Sequence, residues 1–264
     1  MFGRGDVQMG SPSHRVVAPR RRLAVGLLVL TIGMTSCTAA RHDTSTDSSG
    51  APIDATTSTV PGTGATPGTG EHVERSVRVD GSTRTYRLFV PADLDRSTPA
   101  PVVVVMHGGF GSARQAELAY GFDDVAEANG FVVAYPDGVR RAWNAGDCCG
   151  EAARVDVDDV GFIRAMIDDI ASIVPIDPRR RYTAGMSNGA MMAERLACDT
   201  DLFAAYASVA GALMEPCPSP HPISVLHIHG LADTHVPFDG SPGNGVGHVA
   251  RHTPVEETIA MWRR

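Results

Sequence analysis

Strands alternating with helices, an all-apolar run at Val102–Met106, and a strand–turn–helix passage centred on Ser187 predict an α/β protein. Its sheet is expected to be mostly parallel and covered by helices on both faces. A strand apolar at every position is buried on both faces, as interior parallel strands are.

The elements follow in order from about residue 73. Ser76–Val79 and Arg84–Val90 flank Asp80-Gly81, a hairpin signal. Val102–Met106 runs into His107-Gly108-Gly109-Phe110-Gly111-Ser112. Leu118, Phe122, Val125 and Ala126 give Ala113–Asn129 helical spacing, closed by Gly130. Phe131–Tyr135 is a second buried strand, and residues 136–157 form a long irregular stretch of the kind that often carries function. Phe162, Ile163, Met166, Ile167 and Ile170 recur at a period near 3.6, so a helix runs from Asp158 to about Val174, ended by Pro175 and Pro178. Arg181–Ala184 is a strand, Asn188–Ala197 a helix, Ala205–Val209 and Ile223–His229 two strands, and Thr253–Trp262 a helix. One domain, 73–264, is the simplest division.

The first 36 residues read as a secretory leader. Arg15, Arg20, Arg21 and Arg22 precede an apolar run, Leu23–Met34, shorter than the roughly 20 residues a spanning helix needs. Met34-Thr35-Ser36-Cys37 resembles a bacterial lipobox, which makes Cys37 a lipid anchor and the only expected membrane contact. Residues 37–72, rich in Ser, Thr, Pro, Gly and Ala, cannot bury enough surface to order themselves and read as a flexible linker. The net charge of -7 gives no electrostatic footprint for nucleic acid. In an oxidising compartment Cys198 and Cys217 are expected to pair, whereas one of the adjacent Cys148 and Cys149 is left for a cysteine outside this chain. A metal site at Cys148 and Cys149 is the alternative, but no second ligand pair stands at zinc spacing, and no metal or organic cofactor is implied.

Gly185-Met186-Ser187-Asn188-Gly189 fits G-x-S-x-G between a strand and a helix, the setting that holds a nucleophilic serine on a strained turn. Acyl transfer needs two N–H groups facing the developing oxyanion. Asn188 is the first candidate donor; Gly109, or failing it Phe110, is the second. An acid that orients a histidine follows the serine in such folds. Asp233, just past the strand ending at His229, is the candidate, with Asp239 as fallback; Asp158 and Asp159 read as helix caps. Trp143 is expected to line the acyl or sugar site. The histidine is not evident. His107, His227 and His229 sit at strand ends, His235 is too close to Asp233, and His248 and His252 leave little room for the helix and strand expected before it. The expectation is that the last strand and the histidine loop lie beyond Arg264.

Taken together, these segments resemble the secreted esterases that include polyhydroxybutyrate depolymerases and feruloyl esterases, similar to carbohydrate esterase family one. The likeness rests on His107-Gly108-Gly109, Tyr135-Pro136-Asp137-Gly138, Trp143-Asn144-Ala145-Gly146 with Cys148-Cys149-Gly150, Val157–Phe162, Gly185–Met192, and His229-Gly230 with Asp233. It implies an α/β-hydrolase fold, here ending before its last strand, with Ser187 and Asp233 as triad members. It also implies a serine acyl-enzyme acting on polyester, feruloylated polysaccharide or small acyl esters. The alternatives are a surface protein that binds esters or glycans without turnover, and a truncated gene product that does not function.

Overall fold

The computed structural model describes residues 70–218, 220–244 and 249–263. The predicted leader, Cys37, most of the linker and His248 lie outside them. Seven strands form one sheet in the order β1-β2-β4-β3-β5-β6-β7. They are β1 Glu71–Val79, β2 Ser82–Val90, β3 Ala100–Met106, β4 Val132–Pro136, β5 Ile176–Met186, β6 Ala205–Val209 and β7 Ser224–Ile228. β1 starts two residues inside the segment expected as linker. The hairpin turns at Asp80 and Gly81, both at positive φ. β2 meets β4 antiparallel, and every pair from β4 through β7 is parallel, as the sequence predicts.

The helices are α1 Ala113–Ala119, α2 Phe122–Asn129, α3 Gly150–Arg154, α4 Asp159–Ala171, α5 Asn188–Asp199 and α6 Val255–Trp262. The single helix expected over 113–129 is two, because Gly121 at φ 71° breaks it. Glycine adopts that left-handed conformation without steric cost. α4 and α5 cover one sheet face: Phe162, Ile163, Met166, Met192 and Leu196 pack on Val102, Val104 and Tyr206. On the other face Ala113, Ala116 and Ala126 of α1 and α2 pack on Phe89, Val105 and Val133. That second cover stops short. Among the described residues nothing overlies Met186, Val209, Leu226 and Ile228, the last two more than half exposed. A groove of about 340 Å³ runs across them.

Cys198 at the end of α5 is joined to Cys217, with Cα atoms 5.6 Å apart. Cys148 and Cys149 are joined to each other, so neither is left for a cysteine elsewhere. No helix among the described residues is long and apolar enough to cross a membrane.

Parallel strands place their carboxyl ends on one edge, where open α/β sheets bind ligands. β3 ends at the glycines of 108–111, β5 at Ser187 and β7 at the turn carrying Asp233.

Candidate active site

Ser187 lies between β5 and α5 with φ 51° and ψ −122°, a conformation sparsely populated by residues with a side chain. Its neighbours explain how the turn is held. A Cβ on Gly185 would strike the backbone of Gly189, and one on Gly189 would strike the carbonyls of Met106 and His107. The Ser187 N–H donates to Val209 O at 2.8 Å, tying the turn to β6. α5 begins at the next residue, so its N-terminal dipole points positive charge at the serine.

Asn188 is buried, and its side-chain amide is turned onto the backbone of Trp143. Oδ1 accepts from Trp143 N at 2.7 Å and Nδ2 donates to Trp143 O at 3.0 Å. That pair fixes the Asn188 backbone, whose N–H is the first candidate oxyanion donor. For the second, Gly109 is exposed and beside Asn188, and its N–H has no partner among the described residues. Phe110 does not fit the donor role, because its N–H donates to Arg141 O at 2.8 Å.

Trp143 has no exposed surface, so it does not line the site as expected. Its indole N–H donates to His107 O at 2.9 Å, which braces the strand end behind Gly108. His107 is equally buried. Gly138 N–H donates to its Nε2 at 3.0 Å, which leaves the ring proton on Nδ1, facing Gly108 O at 2.8 Å. Burial holds this imidazole below its ordinary pKa. Asp158 caps α4 by accepting from Gly161 N–H at 2.7 Å. Asp159 is no cap: it is buried, pairs with Arg84 at 2.6 Å and accepts from Asn144 N–H at 2.7 Å, anchoring the Trp143-Asn144 loop.

The groove in front of Ser187 holds about 340 Å³ and is lined in part by Gly109, Phe110, Arg140, Arg141, Met191 and Val249. Asp233 lies in the turn after β7. Its Oδ1 accepts from His235 N–H at 2.8 Å and Val236 N–H at 3.0 Å. Partial burial works to raise its pKa, but those two N–H groups and the nearby His229 and His235 outweigh it and hold the carboxyl below the usual range. The fallback Asp239 is turned to its own loop, accepting from Ser241.

Among the described residues no histidine hydrogen-bonds to Ser187 Oγ. His229 Nε2 lies 2.8 Å from Val236 O and 4.0 Å from Asp233 Oδ2. His252 has both ring nitrogens on carbonyls, of Ala250 at 3.1 Å and Pro237 at 3.0 Å.

Residues that local pattern did not mark stand behind the serine. Glu194 of α5 is fully buried, accepts from Ser208 Oγ at 2.7 Å, and has Oε1 3.7 Å from His227 Nδ1. His227 Nε2 meets His229 Nδ1 at 3.1 Å. Val236 O can only accept, so His229 carries its proton on Nε2, and its Nδ1 accepts a hydrogen bond from His227 Nε2–H. Away from the site, His72, Glu117 and Asp123 bring three metal-ligating atoms together. Arg87 already pairs with Glu117, and Tyr135 donates to Asp123 at 2.6 Å, so the cluster is satisfied as an ion-pair network.

The family model for esterase PHB depolymerase matches residues 84–228, just over half of the chain. The chain belongs to the esterase PHB depolymerase family. The matched span of this family member runs from β2 through β7 and includes the Ser187 turn. Among its relatives is a protein named as an esterase, NocK, of Nocardia uniformis subsp. tsuyamanensis, 41% identical over 172 residues, which are 63% of this chain and 50% of that one. Feruloyl esterase B of Piromyces equi is 32% identical over 176 residues, 62% of this chain and 31% of that one. The chain thus spans about half, or less, of the length of these relatives. A solved structure of a pOPH variant with DMSO aligns at TM-score 0.51 and 15% identity, over 69% of this chain and 70% of that one, a likeness of fold.

Proposed function

We propose that this family member is an exported carboxylic ester hydrolase working through an acyl-enzyme on Ser187. Ser187 Oγ attacks the acyl carbonyl, and the N–H groups of Gly109 and Asn188 receive the developing oxyanion. A histidine oriented by Asp233 takes the serine proton and returns it to the leaving alcohol; water then releases the acyl group. That histidine is His248 or one supplied by sequence that the longer relatives carry. The leader and Cys37 would export the protein and hold it at a membrane surface by a lipid.

The reading is carried by the Ser187 turn: a non-glycine residue at φ 51°, beside a glycine-lined strand end and at the head of α5. Feruloyl ester is the substrate class that the relatives' names favour, with polyester as the second. The test is hydrolysis of p-nitrophenyl acetate and methyl ferulate by the wild type and by Ser187→Ala. Loss of about 10³-fold or more in kcat supports the reading; undiminished turnover in Ser187→Ala refutes it.

A further inference from the structure

We propose that the groove beside Ser187 selects esters carrying a negatively charged group, a carboxylate foremost, and that Arg140 and Arg141 bind that charge. This rests on the ester hydrolysis proposed above and narrows it, within feruloyl esters, polyesters and small acyl esters alike, to members that carry such a charge on the acyl or the alcohol side.

Both arginines line the groove that Ser187 opens into. Among the described residues neither forms a salt bridge. The carboxylate in the groove wall, Glu151, is paired with Arg154 at 2.6 Å and feels the charge of Arg140 without bonding to it. In a chain of net charge -7, two guanidinium groups without a salt-bridge partner among the described residues, in the wall of the groove that holds the candidate nucleophile, are a departure from the general balance.

The backbone presenting them is strained. Arg140 and Arg141 are consecutive residues at φ 51° and 66°. Each such conformation costs about 1–2 kcal/mol for a residue with a Cβ. Strain of this kind survives where the surroundings over-determine it, and it gathers at ligand clamps. Here the surroundings do so: Arg141 N–H donates to Gly138 O at 3.1 Å, Arg141 O accepts from Phe110 N–H, and Arg141 Nε donates to Gly111 O at 3.1 Å. The turn is therefore fastened to the same loop that offers Gly109 to the oxyanion. Among the described residues the two terminal nitrogens of Arg141 have no partner, which allows a forked contact with a carboxylate, a geometry to which a guanidinium is suited. Phe110 is 65% exposed at the same wall, an apolar platform for the body of the substrate. An acyl or alkyl chain ending in an anion satisfies both features; a neutral chain leaves the charges idle.

The test compares monoethyl adipate, which is anionic, with ethyl hexanoate, a neutral near-isostere. The wild type should prefer the monoester in kcat/KM, and the preference should shrink at 0.5 M salt. Arg140→Ala, and Arg140→Ala with Arg141→Ala, should lower the ratio of the two kcat/KM values by about 10–100-fold, the worth of one hydrogen bond to a charged group. Arg140→Ala alone leaves the Arg141–Gly111 bond in place, which guards against a collapsed loop. An unchanged ratio would overturn the proposal. A second arm needs no turnover: calorimetric binding of monoethyl adipate and of ethyl hexanoate to Ser187→Ala protein. Equal affinity for both overturns the charge selection, whatever the rates. Hydrolysis that persists in Ser187→Ala overturns the esterase reading instead.

Discussion

Asn188 and Trp143 exchange two hydrogen bonds, side chain to backbone, at 2.7 and 3.0 Å. The residue after the candidate nucleophile thereby fixes a loop 45 positions away, and the loop in turn fixes the N–H that should face the oxyanion. Both residues are buried, so no water replaces a lost partner. Asn188→Asp sets an oxygen against Trp143 O in place of a donor. It should lower stability by about 1–3 kcal/mol, the cost of a buried unsatisfied polar group, or more if the new charge persists. Urea denaturation reads this directly, and an unchanged midpoint would show that the pair does not hold the loop.

The strain at Ser187 gives an expectation that runs against intuition. Removing the hydroxyl by Ser187→Ala leaves the positive φ in place, whereas Ser187→Gly relieves it. The glycine variant should be more stable than the alanine variant by about 1 kcal/mol, even though glycine ordinarily weakens a fold. The reverse order in thermal melts would mean that the turn is not strained in solution.

Two buried groups set opposing pH dependences. Burial pushes the Glu194 carboxyl up to about 7, only partly opposed by the bond from Ser208. Burial and the neighbouring His229 push His227 down to about 4. The folded protein keeps a Glu194 proton that the unfolded chain sheds above its ordinary pKa of 4.5, so that contribution falls as pH rises toward 7. The unfolded chain binds a His227 proton below 6.5 that the folded protein refuses until about 4, so this contribution falls as pH drops. Over the shared window the two cancel. Glu194→Gln leaves the histidine alone, and stability should then climb with pH from about 4 to about 6.5 by up to ~3 kcal/mol. A flat profile in the variant would show that His227 is not held neutral.

The uncovered sheet face should be adhesive. Leu226 and Ile228 stand exposed on β7, an edge strand among the described residues, beside Met186 and Val209. Exposed apolar patches next to a free strand edge favour association. Concentration-dependent light scattering from this chain should fall when Leu226→Lys and Ile228→Lys are combined. No change would place the association elsewhere.

The order of strands and helices was legible because alternation and apolar runs are local signals. Val102–Met106 needs no partner to be recognised as an interior strand. The break at Gly121 was hidden by a helical pattern that continues across it. Trp143 misled because an aromatic residue in a long loop reads as a wall of the site; its burial depends on His107 and Asn188, 36 and 45 residues away. Asp159 resembled a cap because it opens a helix, and nothing nearby announces Arg84. Glu194 lies on an amphipathic helix as any surface glutamate would, until Ser208 and His227 close over it. The G-x-S-x-G turn could be read from sequence because its glycines answer to contacts made within a few residues and to one adjacent strand.

The central claim is that Ser187 carries the acyl group, and trapping that group tests it most directly. The wild type and Ser187→Ala would be mixed with a fluorophosphonate and with p-nitrophenyl acetate, quenched, digested and mapped by mass spectrometry. The account predicts one adduct, on the peptide holding Ser187, absent from the alanine variant. Hydrolysis accompanied by an adduct on another residue, or undiminished in Ser187→Ala, would contradict it.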